Sequence, residues 1–400
     1  MPNGNGHHQV LTLPHWRYPA KLPGLTGLYL NSVFRNLATG LIGIFIPVFV
    51  YKIAGGWPGL FSFFLTRETV LILTTVPIAT LIKKLGPDWL IALGALALFF
   101  CLIFLIQSQT NPIFLKWAAI FLGITIPLHW LPYHLAFSWE SSRHFLSRQV
   151  ANQKIISKLA TAAAPLIGGI LATIFGFSGL YLAAGAILLL SIIPIFIDQY
   201  NRRGEAVSLS EIKQVIVNPK LQPIWWGFFG TGLETAIYSI FLPIFLYQAL
   251  DSLEQIGLIS TVSLVISLIT LSYLGKKTQK AEKRVFRFGV VASLPFWLIL
   301  NFLSSFSLLA IFNSLYQITT QAVWIPVDTL VYRWGRKKEK SFFIIRNIAI
   351  RLGIMAALGA ATLFRSLNWD WTAIFLLATL GLMIVTNFSH GLKKTKRTFR

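Results

Sequence analysis

Twelve apolar runs separated by short polar turns dominate the sequence, lying near 27 to 52, 58 to 82, 89 to 107, 113 to 138, 155 to 175, 179 to 198, 223 to 248, 254 to 274, 288 to 306, 308 to 332, 344 to 364 and 371 to 389. About 20 apolar residues in a helix span a bilayer core about 30 Å thick. A helix is the form in which such a run satisfies its own backbone away from water. Composition agrees, with 55% hydrophobic and 12% charged residues and a mean hydropathy of +0.67. These values exclude an ordinary soluble domain. The expected fold is an all-α polytopic membrane protein with twelve transmembrane helices. The lone Cys101 excludes a disulfide framework or a cysteine metal cluster.

The charge balance, 35 Lys and Arg against 13 Asp and Glu for a net +22, would suit nucleic acid if it lay on a soluble face. Here the cations sit in short clusters between apolar runs, such as Lys276, Lys277, Lys280, Lys283, Arg284 and Arg287. No soluble domain remains to present a nucleic-acid surface, and membrane topology accounts for the clusters. An even number of spans returns both termini to one side. Lys52, Lys116 and Arg365 fall in the opposite loops, Arg35, Arg67 and Arg351 fall inside runs, and every other cation lies on the terminus side. Both termini are therefore expected in the cytoplasm, with the basic face against anionic headgroups of the cell membrane.

The expected organisation is a cytoplasmic tail (1–26), a six-helix half (27–198), a cytoplasmic linker (199–222), a second six-helix half (223–390) and a basic tail (391–400). The N-terminal tail carries Pro14, Pro19 and Pro23 and lacks the features of a signal peptide. Its His7, His8 and His15 are read as incidental, so no metal site is expected. In the linker, Ser208-x-x-Glu211 has the form of a capping box for a short surface helix.

Internal similarity sets the architecture. Ile44-Phe45-Ile46-Pro47-Val48-Phe49-Val50-Tyr51 returns as Ile240-Phe241-Leu242-Pro243-Ile244-Phe245-Leu246-Tyr247. Trp130-Leu131-Pro132-Tyr133-His134 corresponds to Trp324-Ile325-Pro326-Val327-Asp328, and Ala172-Thr173-Ile174-Phe175 to Ala361-Thr362-Leu363-Phe364. Three matches in one order with nearly constant offset describe a six-helix unit used twice in parallel orientation. Two pseudo-symmetric halves around a midplane cavity are the architecture of alternating access, and one chain supplies both, so a monomer suffices.

Several turns resemble the major facilitator superfamily, whose members have 6+6 helices. After its second span that family carries a Gly, then three residues, Asp-Arg, one residue, Gly and basic residues. This chain has Ala79, Lys83-Lys84, Leu85, Gly86, Pro87 and Asp88 there, and Gly275-Lys276-Lys277 in the second half. The family's exporters carry Gly-x-x-x-Gly-Pro-x-x-Gly-Gly in the fifth span. Here Ala160, Ala164, Pro165, Leu166, Ile167, Gly168 and Gly169 stand in its place, with two glycines become alanine. Small residues at this spacing let helices pack closely and Pro165 bends the helix. The resemblance implies gating at Lys83, Lys84 and Gly86, and export by antiport. The family's fourth-span arginine motif is missing: Lys116 lies at the outer end and no Arg follows before Arg143.

Ionisable groups inside a bilayer cost about 2.5–3.5 kcal/mol each on insertion scales, which marks Arg35, Arg67, Glu68, Glu234, Asp328 and Arg351 as functional candidates. Asn31, Arg35, Thr39 and Gly43 make one stripe on the first span, and Thr231, Glu234, Thr235 and Tyr238 a matching one on the seventh. The resemblance implies that both helices line the cavity. Glu234 then carries a proton or binds a cationic substrate, with Arg35 as its partner or as an anion-binding group; a static ion pair, or an Arg35 that snorkels to the surface, is the alternative. Arg67 and Glu68 are sequence neighbours and point about 100° apart. They are expected to seek partners on other helices, with one of them reaching the cavity. Asn313, Gln317, Gln321, Trp324 and Asp328 make a polar stripe on the tenth span, and its first-half equivalent offers Trp130 and His134, a wall suited to an amphipathic organic substrate. Asp328 and His134 lie near cytoplasmic ends, where a gate or an interfacial position is expected, and Arg351 is free to pair with any carboxylate.

No Gly-x-x-x-x-Gly-Lys-Ser/Thr loop and no His-Glu-x-x-His occurs, so neither ATP hydrolysis nor intramembrane metalloprotease chemistry is expected, and no cofactor. The expectation is a secondary transporter, proton-coupled and exporting amphipathic or hydrophobic small molecules. A sugar-like uptake permease, a lipid transporter or a non-transporting receptor is the alternative.

Overall fold

A computed structural model describes residues 25–140, 146–197, 213–214, 217–219, 221–335 and 339–389. His7, His8 and His15, the Ser208–Glu211 capping box, most of the linker and the basic C-terminal tail lie outside them. The first half runs as α1 (Leu25–Ile42), α2 (Phe45–Ile53), α3 (Trp57–Gln107), α4 (Ile113–Glu140), α5 (Leu146–Ala162), α6 (Ala164–Leu190) and α7 (Ile193–Ile197). The second half runs as α8 (Gln222–Ala236), a π turn (Ile237–Phe241), α9 (Leu242–Leu250), α10 (Leu253–Leu300), α11 (Phe306–Gly335), α12 (Glu339–Ser366) and α13 (Trp371–Val385). The architecture is all-helical among the described residues and consistent with twelve crossings.

Two helices, α3 and α10, are long enough for two crossings each. Straight, the 51 residues of α3 would measure about 77 Å at about 1.5 Å per residue. The chain reverses at Gly86, where φ is 77° and ψ 161°. That conformation is essentially open to glycine alone, at a cost of about 1–3 kcal/mol for other residues. Gly86 thus makes the turn between the second and third spans, with Lys83 and Lys84 exposed beside it. Gly176, at φ 68° and ψ 179°, divides α6 in the same way.

α10 reverses without such a glycine, as its partners on α11 show. Asn313 Nδ2 donates to Ser263 Oγ at 2.8 Å, and Ser293 Oγ donates to Thr319 Oγ1 at 2.8 Å. The two serines would be about 45 Å apart on a straight helix, whereas Asn313 and Thr319 are about 9 Å apart along theirs. α10 must double back between Ser263 and Ser293, around its basic segment.

The repeated proline blocks shape both halves alike. Pro47 cannot donate to the Gly43 carbonyl, and α1 and α2 meet there at 41°. Pro243 cannot donate to Ser239, and the helix widens into the π turn just before it. Large apolar side chains such as Leu73, Ile174, Val291 and Phe302 are exposed on the outer surface, as lipid contact requires.

The halves touch along two seams, α3 against α12 and α6 against α10. At the second seam a Cβ on Gly169 would lie 2.7 Å from the Leu253 carbonyl, while a Cβ on Gly168 would meet the Leu41 carbonyl within its own half. Leu166 N–H donates across to Thr261 Oγ1 at 3.1 Å, and Lys158 Nζ to Ser267 Oγ at 2.7 Å. The helix breaks at Ala163, just before Pro165.

Candidate functional site

Glu234 sits near the middle of the seventh span, just before the π turn, and is buried. Glycines bring three helices together around it. A Cβ on Gly230 would lie 2.6 Å from the Gly381 carbonyl of α13, and one on Gly232 would collide with the Ile350 carbonyl of α12. The Tyr316 hydroxyl of α11 donates to Glu234 Oε1, and Gln317 Nε2 donates to the Tyr238 hydroxyl in the π turn. The Tyr238 and Tyr316 rings are 5.8 Å apart, and Trp297 packs edge-on against Tyr316 at 5.0 Å.

Among the described residues no lysine or arginine forms an ion pair with Glu234. A cavity of about 20 Å³ adjoins Asn313 and Tyr316, large enough for one water molecule, which needs about 10–15 Å³. Asn313 and Gln317 are tied to Ser263 and Tyr238 within their own half. They are therefore not an open wall as the stripe suggested. Gln321 and Trp324 are half-buried, Trp324 against the apolar cluster of Val323, Val327 and Phe342.

A second charged group lies at the α3–α12 seam. Arg67 pairs with Glu68 through Nε, at 2.7 Å, and Nη2, and Arg351 Nη1 approaches Glu68 Oε2 at 3.5 Å. This corrects the expectation that Arg67 and Glu68 avoid each other. Side-chain directions 100° apart do not prevent pairing when one partner is a long guanidinium stem that curls back along the helix. Arg351 Nε also contacts Asn347 Oδ1 at 3.3 Å. Of the carboxylates open to it, Arg351 takes Glu68, and the trio joins the two halves.

Arg35 does not partner Glu234, and it does not snorkel to the surface: it is buried, and Asn31 beside it donates from Nδ2 to the Ser191 carbonyl at 2.7 Å. Toward the end bearing the Lys83–Lys84 turn, Trp130 and His134 rings meet at 4.0 Å. His134 lies parallel to Phe343 at 6.2 Å, and the Arg346 guanidinium carbon is 5.6 Å from the Trp130 ring. Those contacts cross between halves. Asp328 is half-buried and engaged nearby on α11.

The opposite end is also bridged. Lys52 Nζ donates to the Tyr247 hydroxyl at 3.1 Å, and Gln248 Nε2 to the Tyr51 hydroxyl at 3.0 Å. Trp57 stacks 6.1 Å from Phe241 and meets Trp371 edge-on at 5.4 Å, with the Arg365 guanidinium 4.5 and 4.7 Å from the two indoles.

Tyr316, His129 and this aromatic cluster were not singled out by sequence reasoning. Tyr316 adjoins the polar stripe at Gln317, and Tyr51 and Tyr247 close the repeated blocks, so position in the pattern could have found them. Nothing in the spacing marks His129.

Residues 224–396 match the family model described as Major Facilitator Superfamily. A crystal structure of the E. coli fucose:proton symporter superposes on 92% of this chain and 97% of its own length, at 13% identity and a TM-score of 0.60. No curated protein matches the chain.

Proposed function

We propose that this chain is a transporter of the major facilitator superfamily, whose model matches residues 224–396, and that it couples proton movement to export of amphipathic small molecules, with Glu234 as the proton-carrying group. The observation that carries the proposal is the Glu234 carboxyl itself. It is buried near midspan, accepts from Tyr316 and forms no ion pair with a cation among the described residues. A carboxyl held by a neutral donor can exchange a proton without breaking a salt bridge. Glu68, locked between two arginines, is the poorer carrier and serves to hold the halves together.

Alternating access follows from the two seams and the contacts at each end, which must break in turn. Export is supported by the fifth-span motif, whose Pro165 and Gly169 stand at the α6–α10 seam. In this reading both termini face the cytoplasm, the basic turns contact anionic headgroups, and a monomer is the working unit. Gly86, with Lys83 and Lys84, and the His134–Phe343 contact form the cytoplasmic gate.

The test uses proteoliposomes with an acid, dye-loaded lumen and a panel of amphipathic cations, anions, sugars and drugs added outside. A panel compound alkalinises the lumen, and Glu234→Gln abolishes that response. Proton flux undiminished in Glu234→Gln would remove Glu234 from the mechanism. Labelled substrate moving with the protons instead of against them would replace antiport by symport, the reaction for which the fucose:proton symporter is named.

A further inference from the structure

The mid-membrane arginines divide into two kinds. Arg67 and Arg351 share the Glu68 carboxylate. Arg35 has no such partner. It is 8% exposed, and among the described residues its guanidinium makes no hydrogen bond or ion pair; Nη1 is fully buried without an acceptor. A guanidinium does not shed its proton near neutral pH, so the charge cannot be relieved by deprotonation. Removing one from water without a counter-charge costs several kcal/mol.

Two more unsatisfied atoms belong to residues of the same region. Asn31 precedes Arg35 by four residues and so shares its face of α1. Its amide is anchored by the bond to Ser191, which leaves Oδ1 buried and without a partner. His129 of α4, also 8% exposed, has Nδ1 buried without a partner, and its ring stacks 5.4 Å from Tyr133. α1 and α4 run in opposite directions. Counted from the same end of the bundle, Arg35 and His129 lie about 15 and 17 Å deep. α1 and α4 pack together, with Tyr29 and Phe137 meeting edge-on at 6.1 Å, so Arg35 and His129 share one depth on adjacent helices.

We propose that Arg35 and His129 form an oxyanion site, so that the substrate of the first half is an amphipathic molecule bearing a carboxylate or phosphate group. The inference rests on the transport reading above and narrows its substrate class. Arg35 supplies a fork of donors matched to a two-oxygen acceptor. His129 donates a further hydrogen bond. Asn31 Oδ1 accepts from a hydroxyl or N–H group next to the oxyanion, because an amide oxygen repels the anion itself. The aromatic surface of Tyr133 takes the apolar portion. Charge is then divided between the halves: the first binds the anion and the second holds the proton.

The test is thermal stabilisation of the purified full chain by 4-phenylbutyrate, phenyl phosphate and the neutral 4-phenylbutanamide at fixed ionic strength. At least one acid should stabilise the protein while the amide does not, and which acid does so separates carboxylate from phosphate. Arg35→Gln should weaken that binding at least tenfold. Arg35→Lys and His129→Asn, each folded by its unliganded melting curve, should weaken it less. Acid binding by parent protein that moves no protons would sink the coupling proposal alone. The oxyanion site is overturned if neither acid stabilises the parent, if the amide matches the acids, or if folded Arg35→Gln binds undiminished.

Discussion

Tyr51 and Tyr247 occupy equivalent places in the two halves, and each hydroxyl accepts a hydrogen bond from the residue at or beside the other's repeat position. Lys52 reaches Tyr247 at 3.1 Å, and Gln248 reaches Tyr51 at 3.0 Å. Because Gln248 is the repeat counterpart of Lys52, the contact is self-complementary, as at a two-fold interface. It fastens the first and seventh spans at the end away from the Lys83–Lys84 turn.

Replacing both hydroxyls, Tyr51→Phe with Tyr247→Phe, should loosen that end. Losing two hydrogen bonds at about 0.5–1.5 kcal/mol each favours the open form by about 5- to 150-fold. Spin labels at Ala54 and Ala249, in a Cys101→Ala background, should report a longer distance. An unchanged distance distribution would show that the Trp57, Phe241 and Trp371 cluster closes this end alone.

Removing Glu68 should be more damaging than removing either arginine. Glu68→Gln leaves Arg67 and Arg351 facing each other in a dry seam, and stranding buried charge costs about 3–5 kcal/mol. Arg351→Gln leaves Glu68 its Arg67 partner and should cost less. Melting curves in detergent give the order directly, and equal losses would contradict the shared-carboxylate geometry.

Tyr316→Phe should slow proton-coupled transport without abolishing it. The hydroxyl donates to Glu234, and a hydrogen bond to a charged group is worth about 1.5–3 kcal/mol. A roughly tenfold or greater fall in flux, with protein still folded, is expected. Wild-type flux would mean that Glu234 works without its tyrosine.

The glycines should separate sharply. Gly232→Ala drives a methyl into the Ile350 backbone, which cannot move aside as a side chain can. Gly359→Ala meets nothing within 4 Å and should be neutral or stabilising by up to about 1 kcal/mol. Comparing detergent melting temperatures of the two variants checks this, and similar behaviour would rule out close α8–α12 packing.

Much of the fold was legible because bilayer thickness is a strict ruler and the proline blocks repeat. Gly86 could be placed at a reversal because of its basic neighbours. The reversal in α10 could be expected from its lysines, although the chain stays helical through it. The site was less legible for a physical reason. Polar stripes show which residues share a face, but not whether that face meets a partner helix or the opposite half. Asn313 and Gln317 were spent inside their own half, and Arg67 folded back on its neighbour. Glu234 stood out because a carboxyl in an apolar run is rare, whereas its partner Tyr316 looks like any core aromatic.

The π turn at Ile237–Phe241 begins three residues after Glu234 and precedes α9, which carries Tyr247. It accommodates one residue more than an α-helical turn does. Were that residue reabsorbed into regular helix, everything beyond it would rotate by about 100° relative to Glu234. The seventh span is thus jointed like a screw, and a change of helical phase at that joint would turn Tyr247 away from Lys52 while Glu234 stayed in place.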